Sequence, residues 1–188
     1  MDAAQASARG VALVAHPHPL FGGSLDNKVA QTLARALAEL GYVAWRPNFR
    51  GVGASEGRHD EGRGEVEDLG AVLAHARGGA PGADAVVLAG FSFSAAMQAL
   101  LAERLRGEGR PATRMVLVGI AVNHFTLPPV PADTLLIHGE CDETVPLAAV
   151  LDWARPHELP VIVVPGADHF FHGRMHLLRA IVQRNWGV

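Results

Sequence analysis

The chain has 188 residues, a formal net charge of −3 and a pI of about 6.3, which gives no indication of a nucleic-acid partner. A chain of this length buries roughly 70% of its unfolded surface, so we expect a single domain over residues 1–188. Its one cysteine excludes an intrachain disulfide, and residues 1–9 lack the features of a secretory leader. With no apolar stretch of about 20 residues either, we expect a cytoplasmic protein with no membrane partner.

Short apolar runs alternate with segments of helical period along the chain, which predicts a mostly parallel sheet with helices on both faces. The first helix is predicted to be capped by Asp26 and to end at Gly41. The fold class is therefore α/β, with about six strands. These strands are predicted at residues 11–15, 43–47, 85–89, 115–121, 134–138 and 160–164.

Ser92 stands where the third predicted strand passes into the next helix. It is flanked two positions away by Gly90 and Ser94, in the sequence GFSFS. A serine at such a sharp turn is typical of the nucleophile elbow of an α/β hydrolase, which needs small residues on both sides. On its own, the pattern fits a helix N-cap serine equally well.

Two further residues follow later strands. Asp142 lies just after the predicted strand 134–138, and His169 lies after the strand 160–164. The order Ser, Asp, His is the chain order of an α/β-hydrolase triad, and parallel strands place such residues at one edge of the sheet. Asp168 is a second candidate for the acid, but a sequence neighbour of His169 generally points its side chain elsewhere.

With these segments in place, the chain resembles a serine hydrolase of the α/β-hydrolase superfamily, in particular a small group without a lid. The resemblance runs from about residue 11 to the end. It implies the fold and a catalytic triad of Ser92, Asp142 and His169 more firmly than it implies a substrate. The matching segments are residues 16–23 (HPHPLFGG), 26–29 (DNKV), 48–57 (NFRGVGASEG) and 60–68 (DEGRGEVED), together with GFSFS.

The expected reaction is hydrolysis of small acyl esters or thioesters through an acyl-enzyme, with no cofactor. Two backbone amides must stabilise the oxyanion. One is the amide of Phe93; the second belongs to the loop after the first strand, where His18, Leu20 and Phe21 have amides and Leu20 is our choice. The acyl pocket is expected to be lined by aromatic side chains, namely Phe21, His18, His124 and Phe170.

The connection around residues 127–132 is rich in proline and too short to form a lid, so we expect an open site. An open site excludes water poorly, which favours hydrolysis of accessible acyl compounds. Open apolar surfaces sometimes pair, and the sequence leaves a homodimer open.

Other interpretations of these residues remain. Histidines at His16 and His18, and at His169, His172 and His176, suggest a metal site, but no carboxylate or cysteine completes either set, so we expect no metal. The glycine-rich segment 51–57 lacks the lysine of a phosphate-binding loop. The alternatives to an esterase are a peptidase and a non-catalytic binding module on the same fold.

Overall fold

Within the part of the chain that the structure describes, six parallel strands form one sheet. The computed structural model describes residues 8–79 and 84–186, so both ends of the predicted domain, including most of residues 1–9, lie outside the described residues. The strands are β1 (Gly10–Ala15), β2 (Tyr42–Trp45), β3 (Ala85–Phe91), β4 (Arg114–Val118), β5 (Leu135–Gly139) and β6 (Val161–Val164). Their order across the sheet is β2-β1-β3-β4-β5-β6. The predicted α/β fold is confirmed.

Among the described residues, five α-helices cover the two faces of the sheet. Helices α1 (Lys28–Glu39) and α5 (Met175–Arg184) pack on one face, and α2 (Arg63–Gly78), α3 (Phe93–Gly107) and α4 (Leu147–Ala154) pack on the other. Short 3-10 helices lie at Pro19–Phe21 and Arg155–His157. Because both faces are covered, β1 is buried along its whole length and is apolar without alternation. None of the described helices is long and apolar enough to cross a membrane.

The strand boundaries differ from the prediction by up to three residues, and two differences, the cap of α1 and the end of β4, have a clear physical reason. Asp26 does not cap α1. Asn27 does, because its Oδ1 accepts hydrogen bonds from the amides of Val29 and Ala30 at 3.0 and 3.2 Å. The fourth strand was predicted to reach residue 121 but ends at Val118, where Gly119 turns the chain with a φ of 53°.

The fold leaves the carboxyl edge of the sheet uncovered. Residues 119–134, which join β4 to β5, contain no helix or strand and form no lid. A bidentate ion pair holds the glycine-rich segment after β2, with Arg50 Nε and Nη2 at 2.7 and 2.8 Å from the carboxylate of Asp68. Because the strands are parallel, the segments that follow β1, β3, β5 and β6 lie together at this edge.

Candidate active site

Ser92 occupies a strained turn between β3 and α3. Its backbone has a φ of 58° and a ψ of −117°, a region that non-glycine residues rarely adopt. The turn is tight, since a Cβ on Gly90 would lie 2.6 Å from the backbone nitrogen of Ala95. The Ser92 amide donates to Val118 O at 2.8 Å, which ties the turn to the end of β4.

Ser94 is the second small residue of this turn, and its hydroxyl has a structural role that the sequence did not reveal. The side chain is fully buried. Its Oγ donates to Ala15 O at 2.7 Å and accepts from the Phe91 amide at 2.9 Å. Ser94 therefore joins the end of β1 to the end of β3, which a glycine could not do.

The structure brings Ser92, Asp142 and His169 together. His169 Nε2 lies 3.0 Å from Ser92 Oγ, and His169 Nδ1 lies 2.6 Å from Asp142 Oδ2. Since a carboxylate oxygen only accepts, Nδ1 carries the proton and donates it, and Nε2 is free to accept from the serine hydroxyl. Asp142 Oδ1 accepts from the amides of Thr144 and Val145 at 2.9 and 2.8 Å. All three side chains are buried.

Asp168 bonds to His172 and has no hydrogen bond to His169 among the described residues. Its carboxylate accepts from the His172 amide at 3.0 Å and pairs with His172 Nδ1 at 2.6 Å. The hydrogen bonds from His172 hold the pKa of Asp168 below its ordinary value. Asp142 is therefore the acid that contacts His169.

A cavity of about 320 Å³ opens beside Ser92. Three of the four residues predicted to contact substrate, His18, Phe21 and His124, line it. Phe170 does not, and instead lines a separate depression of about 390 Å³ with His169. The wall of the first cavity is mostly apolar, and its remaining members are Phe93, Ala121, Phe125, Thr144 and Val145.

The two predicted oxyanion donors differ in position. Phe93 directly follows Ser92 and is the first residue of α3. The first amides of a helix have no partner within the helix, so the Phe93 amide is available as a donor. Leu20 is 69% exposed, it is absent from the cavity wall, and its amide donates to His18 Nδ1 at 3.2 Å. The structure thus does not bring Leu20 to Ser92. The His18 amide, in contrast, has no acceptor within the described residues.

A second histidine, His59, contacts His18 and is paired with the carboxylate of Glu65. Glu65 is fully buried and accepts from the amides of Asp60 and Gly62, and its Oε1 is 2.8 Å from His59 Nδ1. The His59 ring packs 4.7 Å from the His18 ring. Burial is the main cause that lowers the pKa of His18, followed by His59, while Glu65 acts in the opposite direction.

Four of the five histidines considered as metal ligands, His16, His18, His169 and His172, have hydrogen-bond partners within the protein. Both ring nitrogens of His16 have backbone partners: Nε2 accepts from the Phe49 amide at 3.0 Å and Nδ1 lies 2.7 Å from Pro17 O. His172 precedes α5, so it does not stand one helical turn from His176. Over residues 8–79 and 84–186, no three His, Cys, Asp or Glu side chains are arranged to hold a metal ion.

The chain was compared with models of known protein families and with known relatives. Residues 5–109, which include the Ser92 turn, match the model of the X-Pro dipeptidyl-peptidase (S15 family). The chain belongs to this family. The S15 match ends before Asp142 and His169, which are contributed by the later strands. A curated relative is an uncharacterized protein of Rickettsia prowazekii, 35% identical, with 86% of this chain and 71% of the relative covered.

Solved structures extend the similarity over nearly the whole S15-family chain. An α/β serine hydrolase homologue from Coxiella burnetii is 40% identical, with a TM-score of 0.87 over 95% of this chain and 86% of that one. A lidless α/β serine hydrolase from Xanthomonas campestris is 36% identical, with a TM-score of 0.86 over 98% and 84%. The protein is thus a hydrolase of the α/β fold.

Proposed function

We propose that the protein hydrolyses small acyl esters or thioesters, with Ser92 as nucleophile, His169 as general base and Asp142 as the residue that orients His169. The observation that carries this proposal is the hydrogen-bonded line from Asp142 through His169 to Ser92 Oγ, with the unprotonated Nε2 at 3.0 Å from the hydroxyl. A binding module on this fold has no need for such a line.

In the proposed reaction, Ser92 Oγ attacks the acyl carbon while His169 Nε2 takes the hydroxyl proton. The charged imidazole is stabilised by Asp142 and then protonates the leaving alkoxide or thiolate. Water then attacks the acyl carbon and gives one proton to Nε2, which passes it to Ser92 Oγ as the bond between Oγ and the acyl carbon breaks and the acid leaves. Each step moves one proton through the same nitrogen, so the ring must keep its orientation, which the 2.6 Å contact with Asp142 provides.

For the oxyanion we propose the amides of Phe93 and His18, and we replace Leu20 by His18. Both amides belong to residues that line the cavity with Ser92, and the His18 amide has no acceptor among the described residues. The Leu20 amide already donates to the His18 ring. Loss of one such donor costs about 3 kcal/mol of transition-state stabilisation in comparable sites.

The shape of the cavity supports a small acyl group. Its volume of about 320 Å³ is at the low end for small-molecule sites, and Phe21, Phe93 and Phe125 present apolar rings to it. Phe21 is 85% exposed and stands at the rim, so the acyl chain enters from solvent without displacing a lid.

The test is labelling with a fluorophosphonate probe combined with p-nitrophenyl esters of two to eight carbons. We expect the wild type to be labelled once and to prefer short chains, and Ser92→Ala to lose both labelling and turnover. Ser24→Ala, which removes a hydroxyl remote from the cavity, is the control and should behave as the wild type. Equal labelling of Ser92→Ala would refute the assignment of the nucleophile.

A peptidase is the second candidate, because the matching family model is that of an X-Pro dipeptidyl-peptidase. The two functions separate when one acyl group is offered as an ester and as an amide. We expect turnover of the ester to exceed that of an Xaa-Pro p-nitroanilide by orders of magnitude. Faster cleavage of the anilide would favour the peptidase.

A further inference from the structure

His138 is a buried histidine that the proposed reaction does not use. It lies on β5, between Ile137 and Gly139, and none of its surface is exposed. Histidine is costly at such a position unless its nitrogens find partners. An aliphatic residue would pack equally well in a buried strand, so any role that requires the imidazole comes from its polar contacts.

One ring nitrogen of His138 makes two contacts at the candidate active site. Nε2 lies 2.8 Å from Val145 O and 3.4 Å from Asp142 Oδ2. A carbonyl oxygen only accepts, so the proton is on Nε2 and donates to it. The remaining nitrogen, Nδ1, is buried without a partner in the described part of the chain. A second proton there would have no acceptor, and burial lowers the pKa of His138 below its ordinary value. The ring is therefore neutral at pH 7.

These contacts surround the carboxylate with two hydrogen bonds through Val145 and one longer contact to the His138 ring. The Val145 amide donates to Asp142 Oδ1 at 2.8 Å, and the Val145 carbonyl accepts from His138 at 2.8 Å. Asp142 Oδ2 is thereby placed between two imidazoles, at 2.6 Å from His169 Nδ1 and 3.4 Å from His138 Nε2. The two rings differ in charge during the proposed reaction: His169 becomes a cation, while His138 stays neutral.

We propose that His138 is a positioning residue, which acts through Val145 and Asp142 to hold the carboxylate in line with His169. The proposal rests on the proposed function of Asp142 and His169. Because the second imidazole is uncharged, it fixes the orientation of Asp142 without competing as a cation for the negative charge that stabilises protonated His169. Its removal should slow the chemical steps and leave substrate binding unchanged.

The first test compares kcat and KM for a short p-nitrophenyl ester, with kcat expressed per fluorophosphonate-labelled site so that unfolded protein does not count. We expect His138→Met to lower kcat about tenfold with KM unchanged, the equivalent of about 1.4 kcal/mol. His138→Gln, whose amide nitrogen stands where Nε2 stood, should recover most of the loss. The matched control is Thr134→Val, because Thr134 is a buried polar residue beside the same strand and its hydroxyl has no partner among the described residues.

The second test is a double-mutant cycle with Asp142→Asn. If His138 acts through Asp142, His138→Met should change kcat less than about twofold in the Asp142→Asn background. A tenfold effect in both backgrounds, or an unchanged kcat per labelled site in His138→Met, would overturn the proposal. A wild type that neither takes the probe nor turns over any ester would instead refute the proposed function.

A measurement on the wild type does not depend on how the variants fold. In nitrogen-15 spectra of the histidine rings at the pH of maximal turnover, we expect His138 to be neutral with its proton on Nε2. A His138 that carries two protons at that pH would contradict the inference.

Discussion

Replacement of Ser94 by alanine is expected to destabilise the protein by about 2 kcal/mol. The hydroxyl is fully buried, donates to Ala15 O and accepts from the Phe91 amide, at 2.7 and 2.9 Å. Alanine leaves the Phe91 N–H buried without an acceptor, which costs about 1–3 kcal/mol, and leaves Ala15 O with one donor fewer. For a chain of this size, about 2 kcal/mol corresponds to a fall in Tm of about 4–8 °C.

The resemblance to α/β hydrolases makes glycine the familiar residue at this position, and the structure predicts the opposite preference. Ser94→Gly should be at least as destabilising as Ser94→Ala, because it loses the same hydrogen bonds and adds up to about 1 kcal/mol of backbone entropy. Urea unfolding followed by the fluorescence of the 3 tryptophans measures both variants.

Ser24→Ala is the control for the loss of a hydroxyl. Within the described residues, Ser24 Oγ accepts only from the Asp26 amide, at 3.3 Å in an exposed turn, so its removal should change stability by less than about 0.5 kcal/mol. A Ser94→Gly variant as stable as the wild type would refute the account of the Ser94 hydroxyl.

Three further predictions concern the same region. Gly90→Ala should lose stability and probe labelling together, since its Cβ would lie 2.6 Å from a backbone nitrogen; undiminished labelling would contradict the tight turn. Glu65→Gln should lose about 2–4 kcal/mol in urea unfolding, because a buried carboxylate that accepts from three donors is replaced by a group that also donates, and an unchanged midpoint would refute this. The free energy of unfolding should decrease as the pH is lowered from 7.5 to 5.5. Burial lowers the pKa of His16 and His138 below 6.5 in the folded protein, so over this range the unfolded chain binds more protons than the folded one. The slope is at most about 1.4 kcal/mol per pH unit for each histidine, and a midpoint independent of pH over this range would contradict it.

The strands and the order of the site residues could be predicted because they are local features of the sequence. Buried parallel strands are continuous apolar runs, and the residues that follow them lie at one edge of the sheet. Ser92, Asp142 and His169 each follow a strand of this kind. Their convergence is a consequence of the topology and needs no knowledge of side-chain contacts.

The contacts that support the site depend on residues far apart in the chain, and the sequence did not reveal them. Ser94 contacts Ala15 across 79 positions, and nothing near either residue indicates the bond. His138 was interpreted only as part of an apolar strand, although its spacing of four residues from Asp142 was a signal that could have been weighed. Leu20 was chosen as oxyanion donor without the knowledge that its amide donates to the ring of His18.

The position of β6 has a consequence for how the protein loses activity. This strand has four residues, lies at the border of the sheet and bonds to β5 alone, yet the loop that carries His169 follows it. Fraying at this border separates the imidazole from Ser92 while the centre of the sheet remains folded. We therefore expect gentle warming to abolish catalysis before circular dichroism detects melting, so that inactivation reports on the border strand and not on the core.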